Sequence, residues 1–197
     1  PRALLVDFGG VLTTDVFASF SAFCEAEGLP AEAIREAFGS EREAQRLLVD
    51  LETGAIGEAE FDRAFAALLG GLHGVEVSPV EVTERMNEGL RLVDRMVEAV
   101  AAVRATGVPT ALVSNSMGYG AYDMLDLEAS FDVVILSGKV GVRKPSRRIY
   151  AAAAEALGVD PAECVLVDDL EQNLSGAARL GVVGILHHES DPEAPVT

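Results

Sequence analysis

Apolar and polar positions along the chain follow two rhythms. Five short apolar runs, Ala3–Val6, Thr110–Val113, Val133–Leu136, Val165–Val167 and Val182–Leu186, have the length and composition of buried strands. Stretches with helical periodicity separate them, and several runs end in polar or small residues. Buried strands alternating with helices predict an α/β fold: a Rossmann-like parallel sheet covered on both faces. Ligands of such sheets gather beyond the carboxyl ends of the strands. Chemistry is therefore expected just after each run.

The runs are unevenly spaced. About a hundred residues separate the first from the second, far more than the dozen or so a crossover needs. That stretch reads as helix throughout. Phe17, Phe20 and Cys24 recur at helical spacing until Leu29-Pro30 breaks the run. Ser40-Glu41-Arg42-Glu43 has the form of a capping box. Gly54 and Gly57 bracket a turn before a helix over Glu58–Leu69, in which Phe61, Phe65 and Leu68 share a face. Ser78-Pro79-Val80-Glu81 combines an N-cap, a proline at the first helical position and a capping glutamate. Residues 14–88 are expected to form a small α-helical insertion above the first strand, with residues 1–13 and 89–197 making the core. Leu92–Thr106 then returns as an amphipathic helix stopped by Gly107. Glu189–Thr197, polar with two prolines, is expected to be a loose tail.

Composition narrows the class. The 197 residues are 49% hydrophobic, enough for one sizeable core. No apolar run approaches the roughly 20 residues that span a bilayer, and the opening run lacks the plan of a signal peptide. A soluble, cytoplasmic protein is expected. The net charge of −17, spread along the chain, repels nucleic acid and anionic membranes. An anionic substrate would then need local positive charge from a metal, a lysine or helix N-termini. Cys24 and Cys164 have no zinc spacing and read as buried thiols. Nothing bears on oligomeric state.

Four segments at strand ends carry polar groups. Asp7-Phe8-Gly9-Gly10 offers a carboxylate beside backbone amides that can approach an anion closely. Ser114-Asn115-Ser116 offers a hydroxyl and an amide. Gly141-Val142-Arg143-Lys144-Pro145 offers an ammonium. Asp168-Asp169, followed by Asn173 and Gly176, offers paired carboxylates, which repel unless a cation sits between them. Each segment alone has a bland reading as a cap or turn. Together they suit phosphoryl transfer, in which a carboxylate attacks phosphorus and positive charge neutralises the equatorial oxygens.

These segments resemble the four motifs of the haloacid dehalogenase superfamily, and they span residues 3–186. Leu51-Glu52-Thr53-Gly54 through Phe61 is similar to the turn of a helical cap that faces the active site in such enzymes. The resemblance implies a HAD-like core and a Mg²⁺-dependent hydrolase acting on a small phosphorylated substrate, a sugar phosphate among the options. Asp7 would be nucleophile and metal ligand, and Gly9 a metal ligand through its carbonyl. Ser114 and Lys144 would be catalytic. Gly9, Gly10, Ser114, Asn115 and Lys144 would bind the phosphoryl group. Asp169 would be the main acidic metal ligand with Asp168 in support, and Asn115 and Asn173 would shape the site.

One position departs from the pattern. Most phosphatases of the superfamily carry an acid two residues after the nucleophile, where this chain has Gly9. Its assistance is typically worth about 10²–10⁴-fold. Three readings follow: a phosphatase that manages without it, a weakly active or non-catalytic domain binding a phosphorylated ligand or partner protein, and a different reaction such as 2-haloacid dehalogenation. Phosphonatase chemistry needs a lysine in the cap, and the two lysines, Lys139 and Lys144, both lie outside the insertion. Asp15 could replace the acid but reads better as a helix cap. Arg35, Arg42 and Arg46 read as surface salt bridges, and His187-His188 as a surface loop. His73 reads as a loop residue. Phe17, Phe20, Phe61 and Phe65 read as packing within the insertion, and Tyr150 as core.

Overall fold

The structure, a computed structural model, describes residues 1–188. The expected tail, Glu189–Thr197, lies outside them. Five strands, β1 (Ala3–Val6), β2 (Thr110–Ser114), β3 (Val133–Leu136), β4 (Cys164–Asp168) and β5 (Val183–Leu186), form one sheet in the order β3-β2-β1-β4-β5. Every pairing is parallel, so the five apolar runs are strands within a residue at each end.

Strand alternation sorts the core into two layers. Ala3 and Leu5 face a cluster with Ile149, Tyr150 and Ala153 of α9 (Arg147–Leu157) and Ala177 of α10 (Glu171–Ala178). Leu4 and Val6 face the opposite cluster, with Val100 of α6 (Asp94–Ala105), Tyr122 and Phe131. Two four-residue helices, α7 (Leu127–Ser130) and α8 (Ser137–Val140), flank β3. The chain leaves β1 toward β2 on one side, and β4 returns on the other. The order therefore reverses at β1, the switch point where such sheets bind ligands.

Five helices precede α6 in the long first connection: α1 (Val16–Ala26), α2 (Ala33–Ser40), α3 (Arg42–Glu52), α4 (Glu58–His73) and α5 (Val82–Asn87). They enclose an apolar cluster of their own, from Phe20 to Met86, centred on Phe61 and Phe65. Asp15 caps α1 by accepting from Phe17 N at 2.8 Å. Both cysteines are buried free thiols.

Three local expectations fail. Ser40 is the last residue of α2, where its hydroxyl donates to Glu36 O at 2.8 Å; Glu41 caps α3 through backbone alone. The Ser78–Glu81 stretch is a loop, because Arg85 claims the carbonyls of Ser78 (2.6 Å) and Val80 (2.9 Å). Helix α5 starts only after Glu81, which sits at φ 52°. His73 closes α4 as its last residue, and Gly74 at φ 69° ends the helix. The helix runs through Gly70 because a missing side chain there leaves room for the Val75 carbonyl, 2.7 Å from where a Cβ would stand.

Candidate active site

Three adjacent strands deliver one polar residue each at their carboxyl ends. Ser114 closes β2, Asp7 follows β1 and Asp168 closes β4. The parallel register sets Val6 opposite Leu112 and Val167, so Asp7 stands level with Asp168, and Ser114 lies one residue beyond that level. Lys144 enters from the loop before α9 and is 1% exposed. Its Nζ lies 2.5 Å from Asp7 Oδ1 and 2.8 Å from Asp168 Oδ2.

This geometry is locked from behind. Asn115 clamps the Lys144 backbone, its Oδ1 accepting from Lys144 N at 2.8 Å and its Nδ2 donating to Lys144 O at 3.3 Å. Asp168 Oδ1 accepts from Asn173 Nδ2 at 2.8 Å and from Leu170 N at 3.0 Å. Tyr150, from the apolar layer beneath, donates to Asn173 O at 2.9 Å. Ser114 Oγ is 2.8 Å from the Tyr122 hydroxyl. The bond between Lys144 and Pro145 is cis.

Both oxygens of Asp168 thus have protein partners, whereas Asp169 makes no side-chain hydrogen bond to another described residue. Asp7, Asp168 and Asp169 can present oxygens within 4.8 Å of one another. Burial pushes the Asp7 carboxyl up to about 8, opposed by Lys144 and reinforced by Asp168. Burial and Asp168 lift Asp169 to about 6. Burial would lower the Lys144 ammonium, but Asp7 and Asp168 outweigh it and raise it above the usual lysine range. Three carboxylates face one ammonium, so negative charge is left unmatched, and the hard oxygens of Asp7 and Asp169 suit Mg²⁺. Gly10 makes room: at φ 73°, a Cβ on it would stand 2.4 Å from Asp169 Oδ2.

A cavity of about 240 Å³ opens over these groups. Asp7, Gly9, Ser114, Asn115, Lys144 and Asp169 line its floor, and Phe17, Phe20, Phe38 and Leu48 of α1–α3 line the opposite wall with Val16, Leu90 and Met117. Glu52 and Arg143 meet across it, Oε2 and Nε 2.7 Å apart. Burial lifts the Glu52 carboxyl to about 7 against the pull of Arg143 and Lys144. The helices are fastened to the sheet around this cavity. Ser137 Oγ donates to Glu52 O, Tyr119 N to Glu58 Oε1 at 3.1 Å and Asn87 Nδ2 to Met117 O at 2.8 Å.

Every site residue expected from the sequence reaches this cavity or the cluster beneath it, except that Gly10 contributes by yielding space to Asp169. Phe17 and Phe20 pack as expected but also line the cavity. Arg35 and Arg46 form the expected exposed pairs with Glu32 (2.9 Å) and Glu43 (3.9 Å), and Arg35 also sits 4.0 Å over the Phe17 ring. Sequence reasoning assigned no role to Tyr122, Phe38, Leu48, Glu52 or Arg143. Glu52 and Arg143 lie inside quoted motifs, and a charged residue at the end of an amphipathic helix was the available signal. A wider groove of about 420 Å³ beside α6 is lined mainly by apolar side chains such as Val97, Val100 and Phe131 and brings no reactive set together.

Comparison with known proteins agrees with this geometry. A family model for haloacid dehalogenase-like hydrolases matches residues 1–181. Acyl-CoA dehydrogenase family member 10 of Mus musculus is 36% identical over 89 residues, 44% of this chain and 8% of that protein. Hexitol phosphatase B of Escherichia coli K12 is 34% identical over 123 residues, 59% of this chain and 53% of that one. The chain therefore spans a small part of the first and about half of the second. A family enzyme from Bacteroides thetaiotaomicron, solved with magnesium and inorganic phosphate, superposes with TM-score 0.73 at 23% identity, covering 96% of this chain and 95% of that one.

Proposed function

The chain belongs to the haloacid dehalogenase-like hydrolase family, and from that premise we propose that it is a Mg²⁺-dependent phosphomonoester hydrolase with Asp7 as nucleophile. One observation carries the proposal: a fully buried ammonium held between Asp7 and Asp168, with Asp169 beside them, at the carboxyl ends of adjacent parallel strands.

In this reading, Asp7 Oδ attacks phosphorus while the bond to the leaving oxygen breaks, giving an aspartyl phosphate. Lys144 holds Asp7 in place and neutralises one side of the phosphoryl group. Ser114 Oγ, fixed by Tyr122, and the Gly9 amide donate to the equatorial oxygens. Asp168 does not ligate the substrate; it sets the position and charge of Lys144. A divalent cation held by Asp7, Asp169 and the Gly9 carbonyl would supply the remaining charge neutralisation. Water then attacks the phosphorus of the aspartyl phosphate, releasing inorganic phosphate and regenerating Asp7. The helices α1–α5 act as a cap that excludes bulk water and selects the substrate.

A panel of phosphomonoesters assayed with and without Mg²⁺ tests this. Turnover that requires the metal and disappears in Asp7→Asn is expected. A ligand bound without turnover would instead support a binding domain. Halide release from a 2-haloacid without Mg²⁺ would support a dehalogenase, which would use Asp7 as nucleophile and leave the paired carboxylates Asp168 and Asp169 without a cation.

A further inference from the structure

The position of the missing acid is not merely vacant of a carboxyl. A Cβ built on Gly9 would stand 2.8 Å from Val16 Cγ2, so the first residue of α1 occupies the space into which a side chain there would project. Of the carboxyl groups lining the cavity, the one outside the Asp7–Asp169 pair is Glu52, which lies against the Arg143 guanidinium. Arg143 at 2.7 Å favours the ionised form of Glu52 and burial favours the protonated one. Glu52 stands against Arg143, not at the position beside Asp7 that Gly9 leaves without an acid.

The wall facing the phosphoryl site carries a second, independent indication. It is built from Phe17, Phe20, Phe38 and Leu48, with Phe20 packed edge-on to both other rings. Asn87 also lines the cavity, but its amide nitrogen is already committed to the Met117 carbonyl. Glu52 and Arg143 face each other, which leaves Gln172 as the main polar group above the floor, so a polyol placed here would lose water from several hydroxyls for few partners. At about 240 Å³, below the roughly 300–1,000 Å³ of common ligand pockets, the cavity holds a phosphoryl group and little more than one ring.

Resting on the hydrolase reading above, we propose that the substrate is the phosphomonoester of a compact, apolar phenol or enol, whose oxygen leaves as a stabilised anion without being protonated. The Asp7–phosphorus bond forms, the phosphorus–oxygen bond breaks, and its electron pair stays on the leaving oxygen as a phenolate or enolate. Solvent protonates that anion after departure. A sugar or alkyl phosphate would have to expel an alkoxide, which is far more basic and has no donor at the Gly9 position.

The test is a leaving-group series on the Mg²⁺-loaded protein at pH 8. It uses phenyl phosphates whose phenols span pKa about 7 to about 10, with benzyl phosphate and a hexose phosphate beside them. We expect log kcat/KM to fall steeply as the phenol becomes more basic. Benzyl phosphate should compete with phenyl phosphate for binding yet turn over about 10²–10⁴-fold more slowly, the factor an acid normally supplies. Combining Gly9→Asp with Val16→Ala should raise the ratio of benzyl phosphate to 4-nitrophenyl phosphate turnover, recovering much of that loss. Phe38→Ala should raise KM for the aryl esters about tenfold, with inhibition by inorganic phosphate unchanged as proof of an intact phosphoryl site. Equal turnover of benzyl and phenyl phosphate would overturn the inference, and its selective loss in Glu52→Gln would name Glu52 as the acid. Preference for the hexose phosphate would overturn it as well, with the hydrolase reading intact. No turnover of any ester would remove both.

Discussion

On the floor of the cavity Lys144 and Asp168 are at most 1% exposed, and their polar atoms are matched by Asp7, Asn115 and Asn173. On the opposite wall Phe17 and Phe38 are half-buried, and what they touch is mostly other apolar carbon. The floor is a charged network in which each group fixes the next. Removing one member leaves the others buried and unpaired. The wall is an apolar surface whose members exchange volume, and it is tuned rather than broken by substitution. The difference teaches where, in the proposed reading, reaction and selection would reside: strand ends would enforce geometry for transfer, and helices would decide what approaches.

Substitutions can break or sharpen that contrast. The largest effect is expected for Asp7→Asn, which should reduce kcat by at least about 10³-fold in steady-state assays. Lys144→Met leaves two buried carboxylates without their cation. It should abolish turnover and lower stability by about 3–5 kcal/mol in denaturant titration of the metal-free protein; a stable Lys144→Met protein would show that the network is not what holds the floor. Gly10→Ala drives a methyl toward Asp169 at a position of positive φ, and should weaken Mg²⁺ affinity about 10–100-fold by metal titration.

Across the cavity, effects should be smaller. Glu52 has its carboxyl lifted by burial from 4.5 to about 7. Between those values the folded chain binds a proton more tightly than the unfolded chain, so this group's contribution to stability falls as pH rises through that window. Glu52→Gln should remove that component, seen as a shallower decline between pH 5 and pH 8 in urea unfolding of the metal-free protein. A decline of unchanged slope would show that Glu52 stays ionised beside Arg143. Arg35→Ala breaks an exposed pair and a contact over Phe17, and should cost less than about 1 kcal/mol.

Much of this architecture was legible in advance where local pattern and global fold agree. The strand runs are apolar because both sheet faces are covered, and that requirement is written in consecutive residues. Asp7, Ser114, Lys144 and Asp169 were legible because a strand end leaves little freedom in where the next side chain goes. The capping reading of Ser40–Glu43 and the loop reading of His73 failed for a common reason. A serine or glycine signals a helix boundary only if nothing else claims the backbone there. The ladder of α2 runs on to Glu41 through the Ala37 carbonyl, and Val75 packs on Gly70 inside α4, as Arg85 claims the carbonyls of Ser78 and Val80.

The order of apolar runs and the polar residues after them determined, without coordinates, a parallel sheet and the chemical inventory of its edge. Tertiary structure alone decided which carboxylate of Asp168-Asp169 remains open to a cation, because that depends on Lys144 and Asn173 arriving from other elements. It also decided that Val16 fills the space beside Gly9 and that Phe38 and Leu48 look toward the phosphoryl site. Those facts depend on how helices pack over strands, through contacts between residues far apart in the chain, which no local pattern encodes.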